Sequence, residues 1–431
     1  MRLLVRILIL FMVVGNYIPK VTFAAGTIPT IDAPTAMAID SENGLILFEK
    51  NSDQVYEVGS ISKLLTAYVS MKIVQEREDL DESSIVPISD QAYNLSQNYE
   101  IGNVPLRQDY NYSVNELVES IAINSATGSA LALAEFVAGS EEEFVQEMET
   151  QLEEWGLEDY ELVNATGLRK DGDSGSMNAF SAEVAAVIAY HLVNDFPQFV
   201  TYGQEVESVF KPNTDDPIEM NNNNQMLSDK PYFYEGVLGL MPGSSSEDGT
   251  GFVSYANIDT FGVITVVLGS KDEESRYEET IQLLDYSYRA YMKELVLEAG
   301  QEVTQTGRIT VQGSNTNVAD LVYGEDLFLV VPIVDTAPRL EYHFQPNQKI
   351  FKGDPFLQAP IEEQEEIGVM SVNSVGVEQV FLPSTKGNIA PMVLRTPLEE
   401  ATWYVKGWQS FSEGVGDSWE SMRQFFVELF N

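Results

Sequence analysis

The sequence predicts a mixed α/β (α+β) domain, then a small all-β domain, then a C-terminal amphipathic helix. In residues 27–295, strand-like alternation near both ends encloses segments in which apolar residues recur with helical spacing. In residues 300–397 the apolar segments are short and alternating, and Gly, Pro, Asn and Asp separate them. In residues 403–431 the aromatic and aliphatic residues gather largely on one helical face. Helices enclosed by strands are typical of a layered α/β architecture.

The first domain is predicted to open with a β-hairpin and to close with a helix. Residues 36–40 and 45–49 alternate and flank the turn sequence Ser-Glu-Asn-Gly, which predicts the hairpin. The helical segments that follow are residues 61–74, 116–123, 128–137 and 182–193. Residues 251–256 and 261–268 have the pattern of paired strands, and residues 277–295 have that of the last helix.

The second domain is predicted from five short strands, which are residues 308–312, 327–334, 339–344, 368–372 and 379–382. The tail helix has two interpretations, because it can pack on this β-domain or lie on a membrane surface as an anchor. Its Trp and Phe side chains favour the anchor, whereas its net negative polar face is opposite in sign to what anionic lipids attract. We expect the membrane surface to be a partner of this helix.

The first 25 residues have the pattern of a secretory signal peptide. A short basic stretch precedes the apolar run of residues 7–14, and Ala24 and Ala25 form a small-residue cleavage site. The apolar run is shorter than the ~20 residues that a membrane span needs. We therefore expect an exported, secreted protein that works outside the cytoplasm.

The composition excludes several classes of function. Of 431 residues, 67 are Asp or Glu and 24 are Lys or Arg, which gives a net charge of −43. Such an acidic surface repels the phosphate backbones of nucleic acids. We therefore expect no nucleic-acid partner. The absence of Cys excludes thiol catalysis and most structural zinc sites, and we interpret His191 and His343 as structural. We expect no metal and no cofactor.

The remaining way to activate a nucleophile is a serine with a lysine base. Ser60-Ile61-Ser62-Lys63 stands at the start of an apolar helix, where residues i and i+3 share one face. Burial would lower the pKa of the Lys63 amine and allow it to take a proton from the Ser60 hydroxyl. A second copy, Ser208-Val209-Phe210-Lys211, is followed by Pro212 rather than a helix, and we interpret it as a chance match.

The surroundings of Ser60 make this motif specific. The runs that carry the resemblance are Asp32 to Asp40, Leu47 to Asn51, Gly59 to Thr66, Asn164 to Leu168, Ser181 to Glu183, Asn222 to Leu227 and Gly236 to Leu240. In this order they resemble the serine D-alanyl-D-alanine carboxypeptidases, the low-molecular-mass penicillin-binding proteins. The resemblance covers residues 33–288 and extends to the β-module at 357–360 and 367–369. It implies a penicillin-binding/serine β-lactamase-like transpeptidase domain.

The resemblance assigns roles to residues of the first two motifs. Ser60 is the acylated nucleophile and Lys63 is its base. Ser125 stands at the serine of the family's S-x-N motif and would pass a proton between Lys63 and the leaving amine. Thr127 replaces the asparagine of that motif, which leaves one hydroxyl donor in place of an amide.

The third motif departs further from the family. In the family this motif is K-T-G, and it binds the terminal carboxylate of the substrate. The corresponding residues here are Met241-Pro242-Gly243. Losing a charged hydrogen bond to a carboxylate costs ~1.5–3 kcal/mol. The hydroxyls of Ser244 and Ser245 are candidate substrate-binding groups, and the Ser244 amide matches an oxyanion donor of the family. The candidate substitute cations are Arg169, Lys170, Lys271 and Arg276.

Two functions follow from the resemblance. In the first, the chain is a hydrolase that removes D-Ala from peptidoglycan stem pentapeptides, supports cell-wall maturation and cell shape, and is acylated by β-lactams. In the second, the chain is a catalytically impaired relative that binds peptidoglycan or regulates its synthesis, because the S-x-N and K-T-G motifs are degenerate. We state the first as our prediction.

Overall fold

The computed structural model describes residues 27–170, 175–333 and 339–402. The predicted signal peptide (residues 1–25) and the predicted tail helix (residues 403–431) lie outside the described residues. None of the described helices is both long enough and apolar enough to cross a membrane.

The described strands are listed here in chain order. They are β1 (Thr35–Asp40), β2 (Ile46–Lys50), β3 (Tyr56–Glu57), β4 (Ile85–Val86), β5 (Tyr112–Ser113), β6 (Tyr160–Glu161), β7 (Ala179–Phe180), β8 (Glu207–Phe210), β9 (Ile218–Asn221), β10 (Val237–Ser245), β11 (Gly249–Ile258), β12 (Phe261–Ser270), β13 (Tyr291–Leu297), β14 (Val311–Gln312), β15 (Leu321–Tyr323), β16 (Leu327–Pro332), β17 (Leu340–Pro346), β18 (Leu357–Gln358), β19 (Glu366–Ser374) and β20 (Ile389–Leu394).

The described α-helices lie mostly between β2 and β13. They are α1 (Lys63–Glu76), α2 (Asp90–Ser96), α3 (Val114–Asn124), α4 (Thr127–Ala138), α5 (Glu141–Glu154), α6 (Ala182–Asp195), α7 (Pro197–Gly203), α8 (Glu273–Ala290) and α9 (Gln348–Phe351). A short 3₁₀ turn, Gly59–Ser62, immediately precedes α1.

The larger unit is built around one antiparallel sheet with the strand order β10-β11-β12-β1-β2. Alternate residues of β1 point to opposite faces of the sheet. Met37 and Ile39 join the core formed with α1, α3, α4 and α6, whereas Ala36 and Ala38 pack toward α8. Helices therefore cover both faces, and the predicted mixed α/β class is confirmed.

The strand pairs near the start and the end of the larger unit agree with those that the alternating patterns predicted. The predicted hairpin is β1 and β2, and the predicted strand pair is β11 and β12. The predicted last helix is wrong at its end, because α8 stops at Ala290 and residues 291–297 form β13. This strand pairs with β16, and that pairing outweighs the helical tendency of the segment.

The smaller unit is rich in β-structure and has its own hydrophobic core. Its main sheet has the strand order β15-β20-β19-β17, and Met370, Val372 and Met392 are buried beneath it. The predicted strand at residues 379–382 is wrong, because this segment is a loop that docks on the larger unit. It makes a single isolated β-bridge, in which Phe381 pairs with Leu45 of the larger unit.

This docking loop, residues 375–388, connects β19 and β20 and joins the two units. Leu382 is only 3% exposed and belongs to the main core of the larger unit. Its backbone N–H donates to Gly44 O at 3.0 Å. The Asn43 side chain donates to Asn388 Oδ1 at 2.9 Å. The loop thus completes the larger unit at the turn between β1 and β2.

Candidate active site

Ser60 and Lys63 form a hydrogen-bonded pair where the 3₁₀ turn meets α1. Lys63 Nζ lies 3.0 Å from Ser60 Oγ and 3.0 Å from the carbonyl oxygen of Thr166. Ser60 is partly exposed, whereas Lys63 is 1% exposed. The nucleophile therefore faces solvent while its base lies beneath it.

The environment of Lys63 favours the neutral amine. Burial lowers the pKa of this amine from 10.5 to about 7, because an ammonium loses its hydration in the interior. A lysine with this pKa is partly neutral at neutral pH. It can therefore accept the proton of a hydroxyl 3.0 Å away.

The loop of residues 164–168 supplies the second partner of Lys63 through the Thr166 carbonyl. Asn164 Oδ1 accepts the backbone N–H groups of Thr166 and Gly167 at 3.1 and 2.8 Å. Thr66 of α1 donates to Ala165 O at 2.7 Å, and Glu141 Oε1 accepts from Ala165 N at 3.1 Å. Glu141, the first residue of α5, is a contributor to this loop that the sequence analysis does not single out.

Ser125 and Thr127 lie at the junction between α3 and α4. Ser125 is the C-cap of α3 with φ of 53°, and its Oγ lies 3.5 Å from Met241 Sδ. Thr127 faces the cleft, and both its N–H and its Oγ1 donate to Gly102 O at 3.0 Å. The Thr127 hydroxyl proton is therefore directed to the protein backbone.

The strand β10, at the edge of the sheet, carries Met241-Pro242-Gly243, the predicted counterpart of the family's third motif. Its partner among the described strands is β11, and Pro242 therefore lies on an edge strand, where proline is tolerated. Met241 is 1% exposed and belongs to the main core. A Cβ on Gly243 would lie 2.1 Å from Val58 O, so only glycine lets β10 pass this close to the nucleophile turn.

A cleft of about 480 Å³ opens over Ser60. The predicted site residues that line it are Ser60, Thr127, Gly243 and Ser244. Ser245, the next residue of β10, points elsewhere: its hydroxyl donates to Glu57, which also binds Arg169. The Arg169 guanidinium holds the pKa of the Glu57 carboxyl below its usual value. Ser245 thus belongs to an ion-pair network beside the cleft.

Arg276, at the start of α8, is the cation that the structure places in this cleft. It is 6% exposed, and its guanidinium donates to Gly243 O at 3.1 Å and to Tyr277 Oη at 3.2 Å. Its Nε is buried with no hydrogen-bond partner among the described protein atoms. Glu273 Oε1 lies 3.7 Å from the guanidinium, and its side chain is 77% exposed. The guanidinium therefore brings positive charge to the wall of the cleft beside Gly243.

The other candidate cations lie elsewhere. Arg169 is held by Glu57, and Lys170 lines a separate cavity of about 240 Å³ beside Glu141 and Glu142. Lys271 is exposed on the segment before α8. Within the described ranges, no three His, Cys, Asp or Glu side chains gather as metal ligands.

A mixed α/β fold with a serine, a buried lysine of lowered pKa beside it and an open cleft is typical of a serine acyl-transfer enzyme. The family model for D-alanyl-D-alanine carboxypeptidase matches residues 22–272, and the chain belongs to this family. This membership confirms the predicted class, a serine-type D-Ala-D-Ala carboxypeptidase and penicillin-binding protein.

Individual relatives agree with this assignment. D-alanyl-D-alanine carboxypeptidase DacF of Bacillus subtilis (strain 168) is 25% identical over 347 residues, which cover 80% of this chain and 82% of the relative. The solved structure of a peptidoglycan synthesis regulatory factor (PBP3) from Streptococcus pneumoniae is 28% identical with a TM-score of 0.74, over 86% of this chain and 100% of that one. Penicillin-binding protein D2 from Listeria monocytogenes in the ampicillin-bound form has the same fold, with 23% identity, a TM-score of 0.51 and coverage of 60% and 98%.

Proposed function

We propose that this chain removes the C-terminal D-alanine from peptidoglycan stem pentapeptides through an acyl-enzyme on Ser60. The observation that carries the proposal is the Lys63 amine, buried, with a pKa of about 7, and 3.0 Å from Ser60 Oγ. Peptide bonds need an activated nucleophile, and this pair supplies one without histidine, cysteine or metal.

The reaction has two halves. Ser60 Oγ attacks the carbonyl carbon of the penultimate D-Ala while Lys63 takes the hydroxyl proton. The C–N bond then breaks, the amine of the terminal D-Ala takes a proton, and free D-Ala leaves an ester on Ser60. Lys63 next takes a proton from the water that attacks the ester carbonyl. The bond between that carbon and Ser60 Oγ then breaks, Lys63 returns the proton to Ser60 Oγ, and the shortened peptide leaves as a carboxylic acid.

Two further groups assist these steps in the proposal. The Ser125 hydroxyl passes the proton from Lys63 to the leaving amine. The backbone N–H groups of Ser60 and Ser244 stabilise the oxyanion, because both residues line the same cleft. Thr127 and Gly243 line the same cleft and shape its walls.

Arg276 takes the place of the missing K-T-G lysine in this proposal. Its guanidinium lines the cleft that holds Ser60 and has a buried Nε without a partner. A guanidinium presents donors in a planar fork that matches a carboxylate. Arg276 therefore supplies the positive charge for the terminal carboxylate, and the Ser244 hydroxyl supplies a neutral donor.

The test combines a fluorescent penicillin with intact-mass analysis, followed by D-Ala release from a pentapeptide. We expect one penicilloyl adduct, its loss in Ser60→Ala, and D-Ala release by the native chain. No adduct on the native chain would overturn the acyl-enzyme. An adduct without D-Ala release would support the impaired, regulatory or peptidoglycan-binding alternative instead.

The N-terminal sequence and the substrate together support export, so we propose that the mature protein works outside the cytoplasm at the cell wall. The tail helix of residues 403–431 is proposed to hold it on the membrane surface. Deletion of these residues should release the protein from the membrane fraction of cells, and unchanged partitioning would contradict the anchor.

A further inference from the structure

Asn178, the residue before β7, lies fully buried between the two segments that hold Lys63. We propose that Asn178 is a positioning residue that sets the geometry of the Ser60–Lys63 pair. The inference deepens the proposed acylation of Ser60 and rests on it for its catalytic meaning. The sequence motifs point to Ser60, Lys63 and Ser125, and none of them includes this position.

On one side, Asn178 holds the loop of residues 164–168. Its Oδ1 accepts the backbone N–H groups of Val163 at 2.7 Å and Asn164 at 3.2 Å. Its Nδ2 donates to Asn164 O at 2.8 Å. Asn164 in turn binds the N–H of Thr166, whose carbonyl accepts from Lys63. Asn178 is thus two hydrogen-bonded residues away from the lysine amine.

On the other side, Asn178 holds the turn that carries Ser60. Its Nδ2 donates to Ser62 Oγ at 2.9 Å, and Ser62 Oγ donates to Gly59 O at 2.9 Å. Its backbone carbonyl accepts from Val58 N at 3.0 Å. The turn is therefore tied to Asn178 two residues before Ser60, at Val58, and again between Ser60 and Lys63, at Ser62.

The side-chain amide uses its full bonding capacity in this position. A primary amide has two N–H donors and an oxygen with two lone pairs, and here each of the four is used. No other side chain of this size offers both functions from one planar group, so an aspartate or a leucine of equal volume cannot replace it.

The loop and the turn are packed too closely to absorb a shift. A Cβ on Gly167 would lie 2.2 Å from Gly59 O and 2.7 Å from Ser62 Oγ. Lys63 Nζ must at the same time keep 3.0 Å to Ser60 Oγ on the turn and to Thr166 O on the loop. Any change in the spacing of these two segments therefore changes the proton-transfer distance.

The test measures the Lys63 pKa and the acylation rate in Asn178→Ala. The Lys63 resonance is followed by NMR titration of ¹³C-lysine protein and assigned with Lys63→Met. We expect the midpoint to rise by one pH unit or more, because loosened packing admits water to the amine. We expect the acylation rate constant with a fluorescent penicillin to fall 10- to 100-fold, the loss typical of a displaced reacting group.

The matched control is Asn388→Ala, which removes an equally buried asparagine that binds Asn43 far along the chain. It should leave both readouts unchanged. Ser62→Ala, alone and combined with Asn178→Ala, adds a double-mutant cycle, and we expect clear non-additivity because both act on one turn.

The outcomes separate the two proposals. An unchanged Lys63 midpoint and an unchanged acylation rate in folded Asn178→Ala would overturn the positioning role. A shifted midpoint in a chain whose native form makes no penicilloyl adduct would overturn the acyl-enzyme and leave Asn178 as the group that sets the lysine environment.

Discussion

The thioether sulfur of Met241 lies 3.5 Å from the hydroxyl oxygen of Ser125. Met241 is the residue that we predicted from the sequence to stand at the lysine of the family's third motif, and it is buried in the main core. A thioether is a weak hydrogen-bond acceptor and carries no charge. Ser125 therefore meets an apolar, polarisable neighbour at the point where an ammonium would orient it and attract a substrate carboxylate.

Restoring the family motif should raise activity. In Met241→Lys combined with Pro242→Thr, the new ammonium would contact Ser125 and the substrate carboxylate. A charged hydrogen bond of ~1.5–3 kcal/mol corresponds to an increase in kcat/KM of about 10- to 150-fold. The measurement is D-Ala release from a pentapeptide.

Met241→Leu is the control for this double variant, because leucine keeps about the volume of the methionine side chain and adds no charge. It should leave kcat/KM within about twofold, since volume-conserving core exchanges are tolerated. A folded double variant with no gain in kcat/KM would show that the missing lysine does not limit this enzyme.

Arg276 should determine the preference for a free carboxylate. Native enzyme should favour a peptide ending in carboxylate over its carboxamide by about 10- to 100-fold in kcat/KM, the size of a charged hydrogen bond. In Arg276→Gln this ratio should approach one. Arg289→Gln, on the same helix but 74% exposed, should keep the native ratio. A ratio that survives the loss of Arg276 would place the carboxylate elsewhere.

The acylation rate should follow the ionisation of Lys63. Burial lowers the pKa of Lys63 to about 7. The fraction of Lys63 in the neutral form therefore rises about tenfold per pH unit below pH 7 and levels off above it. The second-order rate constant for a penicillin, measured from pH 5 to pH 9, should rise and then level in this way. Lys63→Met should abolish the reaction, and a rate that still climbs tenfold per unit at pH 9 would rule out this base.

Asp40 should make the protein less stable as the pH rises toward 7. The carboxyl is 1% exposed, and burial raises its pKa from 3.8 to about 7. Between pH 3.8 and pH 7 the Asp40 carboxyl keeps its proton in the folded state and has lost it in the unfolded state. The free energy of unfolding therefore falls as the pH rises through this range, and the fall is complete above pH 7.

The corresponding variant is Asp40→Asn, which cannot ionise. Above pH 7 we expect its free energy of unfolding in urea to exceed the native value by about 1–3 kcal/mol, and the difference should vanish near pH 4. Exposed Asp53→Asn should show no such trend. A constant difference from pH 4 to pH 8 would contradict the assignment of this titration to Asp40.

The sequence predicts those parts of the molecule that local patterns determine. The hairpin of β1 and β2 and the placement of Ser60 before an apolar helix follow from alternation, turn residues and spacing. The end of α8 at Ala290 does not, because β13 is stabilised by pairing with β16, a strand distant in sequence.

In the candidate site, too, local sequence patterns predict some residues, whereas contacts distant in sequence determine the others. Spacing alone places Ser60 and Lys63 together, and motif order adds Ser125. Arg276 was one of four candidate cations, since only the packing of α8 against β11 and β12 decides which guanidinium enters the cleft. Asn178 carries no signal at all in the sequence, because its role comes from bonds to two segments that are far apart along the chain.

The contact between Leu382 and the larger unit affects which surfaces are exposed while the chain is being synthesised. During synthesis the larger unit through Ala290 emerges before Leu382, so the contact that Leu382 makes beside Gly44 is missing during that interval. The nascent larger unit then exposes an apolar surface that its own later residues cover. Recombinant versions that stop after α8 would keep this surface permanently, and a soluble shortened enzyme needs the chain through residue 388 or a polar replacement at the vacated contact.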